Sequence, residues 1–325
     1  MQAVALEEYG GPEVLRLGAF PDPEPGAGDV VVELRAAALN RRDRLVRTGV
    51  YEFPLPLVPG SDGAGIRRDT GEEVVILPSL RWGESEAAPE AGFEILGGPT
   101  NGTYAELVSV PAENLYPKPA RLSFAEAAAF PLAGLTAYRA LFGRAQLRLG
   151  ETVLVLGAGS GVSTFAVSLA HQAGARVLVT SSSREKLDRA VALGAEAGVD
   201  YTQSGWADEV RALTGGRGVD VVVDSVGSTW PDSVHCLAPG GRVAAFGATA
   251  GTAATLEVRP FYFGQFSLLG TTMGSPADFR GLLQAVENGS WAPVVDSVRP
   301  LSEAAAAHAR MEAGEHFGKL VLELG

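Results

Sequence analysis

The chain has 325 residues, is 46% hydrophobic and 20% charged, and carries a formal net charge of −12 at pH 7. That length favours two domains over one, and the charge argues against nucleic acid or an anionic membrane surface as a partner. A single cysteine, Cys236, excludes an intrachain disulfide and a cysteine-cluster zinc site.

The N-terminus, MQAVALEEYGGPEVL, has no basic segment leading into an apolar run, and no apolar stretch approaches the ~20 residues of a membrane span. The expectation is a soluble cytoplasmic protein. Lysine is scarce: only Lys118, Lys186 and Lys319 occur, so these few are informative, with Lys118, which follows LYP at a linker, read as structural.

Residues 1–118 read as β-rich. DVVVELRAAAL, GEEVVIL and GTYAELVSVP alternate or run apolar between Gly and Pro, and PDPEPGAGD at 21–29 is a turn cluster. VPGSDGAG places Ser61 and Asp62 between glycines, as a tight β connection in which either residue bonds local backbone; direct contact with a bound small molecule is the alternative. The four arginines at 41, 42, 44 and 47 read as a solvated basic face.

From residue 123 the pattern changes. SFAEAAAFPLAGLTAYRALFGRAQL is helical and opens with Ser123-x-x-Glu126, a capping box. Val-rich runs (TVLVLG, RVLVTS, VDVVVDSVG, GRVAAFG) then alternate with amphipathic helices, which predicts a parallel, doubly wound sheet. Residues 291–325 hold PVVDSVRP, an Ala-rich helix and a closing strand, GKLVLEL. They are too few for a domain and are expected to return to the N-terminal one. The expected division is 1–119, 120–290 and 291–325.

The sharpest motif is TVLVLGAGSGVSTFAVSLA. A strand ends at Gly157, glycines recur at 159 and 161, and a helix follows at once. Glycine permits the tight turn and lets a pyrophosphate approach the backbone, where the helix N-terminus offers free N–H groups. Gly157, Gly159, Ser160, Gly161 and Val162 are therefore cofactor-binding candidates. The next strand ends in Thr180, Ser181, Ser182 and Ser183, followed by Arg184 and Lys186. The Asp or Glu that grips the ribose hydroxyls of NAD is missing, and hydroxyls with cations suit a 2′-phosphate. This favours NADPH; an ordinary solvated helix start with a serine cap is the alternative. DSVG (224–227) and AFGAT (245–249) end parallel strands where ligands bind in this fold, which adds Ser225, Val226, Phe246 and Gly247.

Together, VPGSDGAG, LTAYRALF, the glycine loop with its following βα unit, and GKLVLEL resemble the medium-chain dehydrogenases/reductases, in their zinc-free, quinone oxidoreductase-like branch. The resemblance covers essentially the whole chain. It implies a GroES-like catalytic domain built from both chain ends, a Rossmann domain between them, and a homodimer or tetramer. Zinc-dependent relatives carry a Cys in the segment matching ALNRRD and a His-Glu pair in that matching PGSDGAG. Here those positions read Asn40 and Ser61-Asp62, so no catalytic metal is expected. The resemblance also implies that Asn40, Tyr51 and Thr136 line the nicotinamide or substrate, and that Ser182, Lys186 and Tyr201 meet the 2′-phosphate or adenine. Asn40 as a backbone-bonding turn residue and Tyr51 as a packing residue stay open. Leu45 departs from the branch, some members of which have Tyr there.

Without a Lewis acid, quinones and α,β-unsaturated carbonyls are the suitable hydride acceptors, since they delocalise the incoming charge themselves. The expected function is an NADPH-dependent reductase of such compounds. Two alternatives are a metal-free alcohol dehydrogenase-like enzyme and a low-turnover NADPH-binding protein. A hydrolase built on Ser160, Asp224 and His235 fits the glycine pattern less well.

Overall fold

In the computed structural model, which describes residues 1–325, the chain divides into two units: Met1–Leu135 with Ser275–Gly325, and Thr136–Gly274. No helix is long and apolar enough to cross a membrane.

The first unit is β-rich. Its elements are β1 (Gln2–Ala5), β2 (Arg16–Ala19), β3 (Asp29–Ala38), the short helix α1 (Arg41–Arg47), β4 (Asp62–Arg67), β5 (Glu73–Ile76), β6 (Ser79–Leu80), β7 (Glu94–Ile95), β8 (Leu107–Pro111) and β9 (Leu115–Pro117). Helix α2 (Phe124–Ala129) follows, with α3 (Pro131–Tyr138) after it. The capping box is present as predicted: Glu126 N donates to Ser123 Oγ, and Ser123 N donates to the Glu126 carboxylate. The predicted helix is nevertheless interrupted at Phe130, just before Pro131, whose ring cannot sit inside a helix.

The second unit is the doubly wound half. It runs β10 (Thr152–Val155), α4 (Gly161–Gln172), β11 (Arg176–Ser181), α5 (Arg184–Ala192), β12 (Ala197–Asp200), α6 (Trp206–Leu213), β13 (Val219–Asp224), α7 (Trp230–His235), β14 (Leu237–Ala245), α8 (Val258–Phe263) and β15 (Ser267–Gly270). The six strands are all parallel, in the order β12-β11-β10-β13-β14-β15. Helices on both faces bury the central strands completely, which is why they read as unbroken valine runs. This is a Rossmann-like arrangement, and the strand order reverses between β10 and β13.

The chain then re-enters the first unit through α9 (Pro276–Asn288), β16 (Val295–Pro300), α10 (Ala304–Ala313) and β17 (Lys319–Glu323). The seven-stranded sheet is ordered β16-β17-β3-β4-β5-β9, with β8 also paired to β3. One core holds residues from both ends of the chain, including Leu34, Val74, Ile76, Val108, Leu320 and Leu322. Each fully buried aliphatic side chain of this kind contributes roughly 1.5–3 kcal/mol, so the last strand is part of this unit's stability.

Two registers place the site. Strand β3 pairs antiparallel with β4, opposing Ala38 to Asp62, and antiparallel with β17, opposing Ala38 to Val321. The residues just beyond these pairs, Asn40 and Lys319, therefore converge beside Asp62.

Candidate functional site

Lys319 is 3% exposed and Asp62 fully buried. The ammonium donates to Leu39 O at 2.6 Å, Asn40 Oδ1 at 2.7 Å and Asp62 Oδ2 at 3.0 Å, which uses all three of its N–H groups. Asn40 Nδ2 donates to Asp62 Oδ2 at 2.9 Å, and Leu132 N donates to Asp62 Oδ1 at 2.7 Å. A donor beside Oδ1 and an acceptor beside Nδ2 fix the orientation of the Asn40 amide. Ser61 Oγ donates to Leu96 O at 2.7 Å. The Ser61-Asp62 pair thus does not bond its own turn. Its side-chain partners come from Asn40, Arg42, Leu96, Leu132 and Lys319, because the glycine-rich stretch brings other backbone close. A Cβ on Gly102 would meet Gly60 O at 1.9 Å.

Asn40 itself is 6% exposed and stands at the N-cap of α1, where its N–H donates to Asp43 Oδ2 at 2.8 Å. Asp43 is wholly buried. Desolvation lifts its carboxyl to about 6, against the pull of Arg42, the Asn40 N–H and Lys319. The arginines of this helix are not a solvated face. Arg47 is 1% exposed, and Arg42 donates to Ser61 Oγ, Leu96 O and Gly98 O at 3.2, 3.3 and 3.1 Å. Burial lowers the Arg42 pKa, while Asp43 and Tyr51 oppose that shift. Arg41 is the most exposed of the four. Tyr51 lies beyond the helix and is 46% exposed, with its N–H bonded to Leu45 O. Thr136 is 5% exposed in α3.

In the second unit the glycine turn is held from both sides. Gly157 has φ +71°, a conformation that disfavours any side chain. Its N–H donates to Thr180 Oγ1 at 3.3 Å, and its carbonyl accepts Ser163 Oγ at 2.9 Å. Gly159 also has positive φ, at +103°. Ser160 caps α4 by accepting Ser163 N at 3.1 Å, which leaves the first-turn N–H groups of Gly161 and Val162 for an anion. Of the four hydroxyls at the end of β11 and just beyond it, Thr180 holds the glycine turn, Ser181 accepts Ser183 N and Ser183 caps α5; Ser182 is the exposed one. Arg184 is exposed and paired with Asp188, Lys186 is half-buried, and Tyr201 is 45% exposed with its N–H on Ser181 O.

Asp224 shapes the loop after β13. Its carboxylate accepts Val226 N, Gly227 N, Thr229 Oγ1 and Ser233 Oγ. Ser225 O accepts Thr249 N, and Phe246 N donates to Asp224 O. Gly247 lies against Ser225, where a Cβ would come within 2.8 Å of its carbonyl. Ser225, Val226, Phe246 and Gly247 therefore form adjoining loops at the carboxyl edge. Asp224 is wholly occupied there, Ser160 is a helix cap, and His235 pairs with Asp208, so the three form no hydrolytic triad. The sequence reading missed Lys319 as a site-forming residue; the scarcity of lysine was the available signal for it.

A dinucleotide fold with a capped glycine turn, joined to a β-rich unit closed by the chain's own C-terminus, defines an alcohol dehydrogenase-like oxidoreductase. Residues 26–120 match the alcohol dehydrogenase GroES-like domain family, and residues 161–288 the zinc-binding dehydrogenase family. The chain is 36% identical to a zinc-type alcohol dehydrogenase-like protein of Schizosaccharomyces pombe, over 100% of this chain and 99% of that one. It is 36% identical to the quinone oxidoreductase of Pseudomonas aeruginosa, over 98% of each. It also superposes on a crystal structure of an NAD-dependent alcohol dehydrogenase with TM-score 0.95 and 44% identity, over 100% of both chains. The chain belongs to the medium-chain dehydrogenase/reductase superfamily, a family of nicotinamide-nucleotide oxidoreductases, in its quinone oxidoreductase-like part.

The residues do not fit the zinc ion that the second family's description implies. Asn40, Ser61 and Asp62 supply neither thiolate nor imidazole, and the Lys319 ammonium already neutralises the one carboxylate among them. No group of three His, Cys, Asp or Glu side chains is disposed to hold a metal. A nicotinamide dinucleotide does fit: the positive-φ turn and the first turn of α4 present backbone N–H groups to a pyrophosphate.

Proposed function

We propose that the protein is an NADPH-dependent, zinc-independent oxidoreductase that delivers hydride to a quinone or an α,β-unsaturated carbonyl. The observation that carries this reading is the internal pairing of Asn40, Asp62 and Lys319. Every N–H of the ammonium is taken, so this cluster gives an acceptor neither a metal nor a free cation. The acceptor must therefore stabilise its own developing charge, as conjugated carbonyls do.

When bound, the coenzyme supplies the hydride. Gly157, Gly159, Ser160, Gly161 and Val162 would hold its pyrophosphate. Ser181, Ser182, Arg184, Lys186 and Tyr201 would receive the phosphorylated ribose and adenine, with Ser182 as the exposed hydroxyl donor. Ser225, Val226, Phe246 and Gly247 would line its middle, and Thr136 its nicotinamide. On the substrate side, Asn40 keeps a fixed amide and Tyr51 offers an exposed phenol that can donate to the acceptor oxygen.

The relative named for quinone reduction supports the substrate class. Dehydrogenation of alcohols with NAD is the second reading, favoured by the name of the 44% identical structure. Turnover of quinones, enones, aldehydes and alcohols with NADPH and NADH separates the two. Reduction of quinones or enones with NADPH is expected, and turnover confined to alcohols or aldehydes with NAD(H) overturns the proposal. Tyr51→Phe is expected to slow turnover; an unchanged rate reduces Tyr51 to a packing residue.

A homodimer is part of the same proposal. Strand β15 is an unpaired edge of the sheet, and Val258, Tyr262 and Phe263 in the preceding helix are 74, 50 and 72% exposed. Sedimentation equilibrium tests it; a monomer at micromolar concentration would count against it.

A further inference from the structure

Arg47, His308, Tyr104 and Asp43 form one hydrogen-bonded chain through the first unit, and a single placement of its protons satisfies every contact. Arg47 donates from Nε to Gly10 O at 3.1 Å and pairs through NH2 with Glu312. Its NH1 lies 3.4 Å from His308 Nδ1. A guanidinium can only donate, so Nδ1 must be the accepting nitrogen. Burial and the neighbouring Arg47 hold His308 neutral, its pKa lowered to about 3. Its proton is therefore on Nε2, which lies 3.2 Å from the Tyr104 hydroxyl. That hydroxyl accepts there, and its own proton goes to Asp43 Oδ2 at 3.0 Å. The same oxygen accepts the Asn40 N–H at 2.8 Å, while Asp43 Oδ1 is buried without a partner. All the donors on this carboxylate thus meet one oxygen, and one of them is the far end of a chain that begins at Arg47.

We propose that Arg47 and His308 are positioning residues for the substrate side of the site: through Tyr104 they orient Asp43, which holds the Asn40 main chain and so sets where its amide meets Lys319 and Asp62. This rests on the reading of Asn40 as a site residue given above. The surroundings agree. Tyr104 is fully buried and His308 is 0% exposed, so water cannot replace either partner. Tyr104 also meets the His308 ring edge-on at 5.8 Å, which restricts both rings. The charges that bear on Asp43 are Arg42 from its own helix and Lys319 from β17; Asp62 and Arg47 act on Tyr104. Loss of the phenol would remove one of two donors to the Asp43 carboxylate and favour its protonated form.

The test uses full-length wild type, Tyr104→Phe, His308→Leu, His308→Gln and Asn40→Ala, with NADPH and a quinone as substrates across the acid limb of kcat. In Tyr104→Phe and His308→Leu the acid limb is expected to move up by about one pH unit, while NADPH affinity, set by the glycine turn, stays as in the wild type. His308→Gln restores the profile, since a carboxamide can accept from Arg47 and donate to Tyr104. Nitrogen NMR of histidine-labelled wild type supplies a readout independent of turnover: an Nε2–H tautomer at His308 is expected. An Nδ1–H tautomer overturns the proposal. So do acid limbs of Tyr104→Phe and His308→Leu that superpose on the wild type, even if both variants melt earlier. Asn40→Ala keeps the two readings apart. If it is impaired while the relay variants keep the wild-type profile, the relay alone fails; if it turns over normally, Asn40 leaves the site and the relay loses its role.

Discussion

Lys319 Nζ lies 3.0 Å from Asp62 Oδ2 across 257 residues of sequence, in a pocket where neither side chain meets solvent to any extent. A buried ion pair of this kind is held by the surrounding hydrogen bonds as much as by its own attraction. Here Leu39 O, Asn40 and Leu132 N complete the set. Strand β17 is thereby locked to β3 and β4 at the point where both enter the site.

Removing one charge should expose that dependence. Lys319→Met leaves Asp62 buried and unpaired and is expected to cost about 3–5 kcal/mol in urea unfolding. The double variant Lys319→Met/Asp62→Asn, with no charge left to bury, is expected to recover a large part of the loss. Equal losses in the single and double variants would show that the pair is not the source of the effect.

The same cluster predicts independence from metal. Protein purified in the presence of a chelator should retain full turnover and contain zinc well below stoichiometry by elemental analysis. A stoichiometric zinc that survives the chelator and is needed for turnover contradicts the proposed mechanism.

His308 and Asp43 make opposite contributions to acid stability. His308 has its pKa lowered from 6.5 to about 3, so its contribution is fully present above pH 6.5 and is lost as the pH falls toward 3. Asp43 has its pKa raised from 3.8 to about 6, so its contribution is present below pH 3.8 and is lost as the pH rises through 6. Between those two values the terms oppose one another. His308→Gln removes the first, so between pH 7 and about 4.5 the variant should gain roughly 2–3 kcal/mol relative to wild type. Urea unfolding at the two pH values measures this; parallel changes in both proteins would remove the assignment.

Coenzyme preference is tested at α5. Lys186→Ala is expected to narrow the ratio of NADPH to NADH affinity by about tenfold, through loss of a charge-assisted bond to phosphate. Fluorescence titration with each coenzyme reads the ratio. Equal binding of the two by wild type, or an unchanged ratio in the variant, sinks the preference for NADPH.

At the glycine turn, Gly157→Ala should cost about 1–2 kcal/mol of stability, because φ +71° places a side chain against the following carbonyl. Coenzyme affinity should fall with it. An alanine variant of wild-type stability that binds coenzyme normally would show that the turn tolerates a different backbone.

Much of this was legible in the residues. The doubly wound unit announced itself because parallel strands buried on both faces must be apolar throughout, and its glycine turn needs a backbone that only glycine adopts readily. The Ser123–Glu126 box likewise marked the start of α2. Arg47 was misjudged for a physical reason: a charged residue reads as surface unless its partners are known, and His308 lies 261 residues away in the sequence.

By itself, then, the sequence determined the fold class and the glycine turn, since each depends on local periodicity or local backbone conformation, and, through the family resemblance, the lack of thiolate and imidazole where zinc-dependent relatives carry them. Only the tertiary structure decided what stands in that place. The antiparallel register of β3 with β4 and β17 brings Asn40, Asp62 and Lys319 together, and strand pairing across hundreds of residues leaves no local pattern to read.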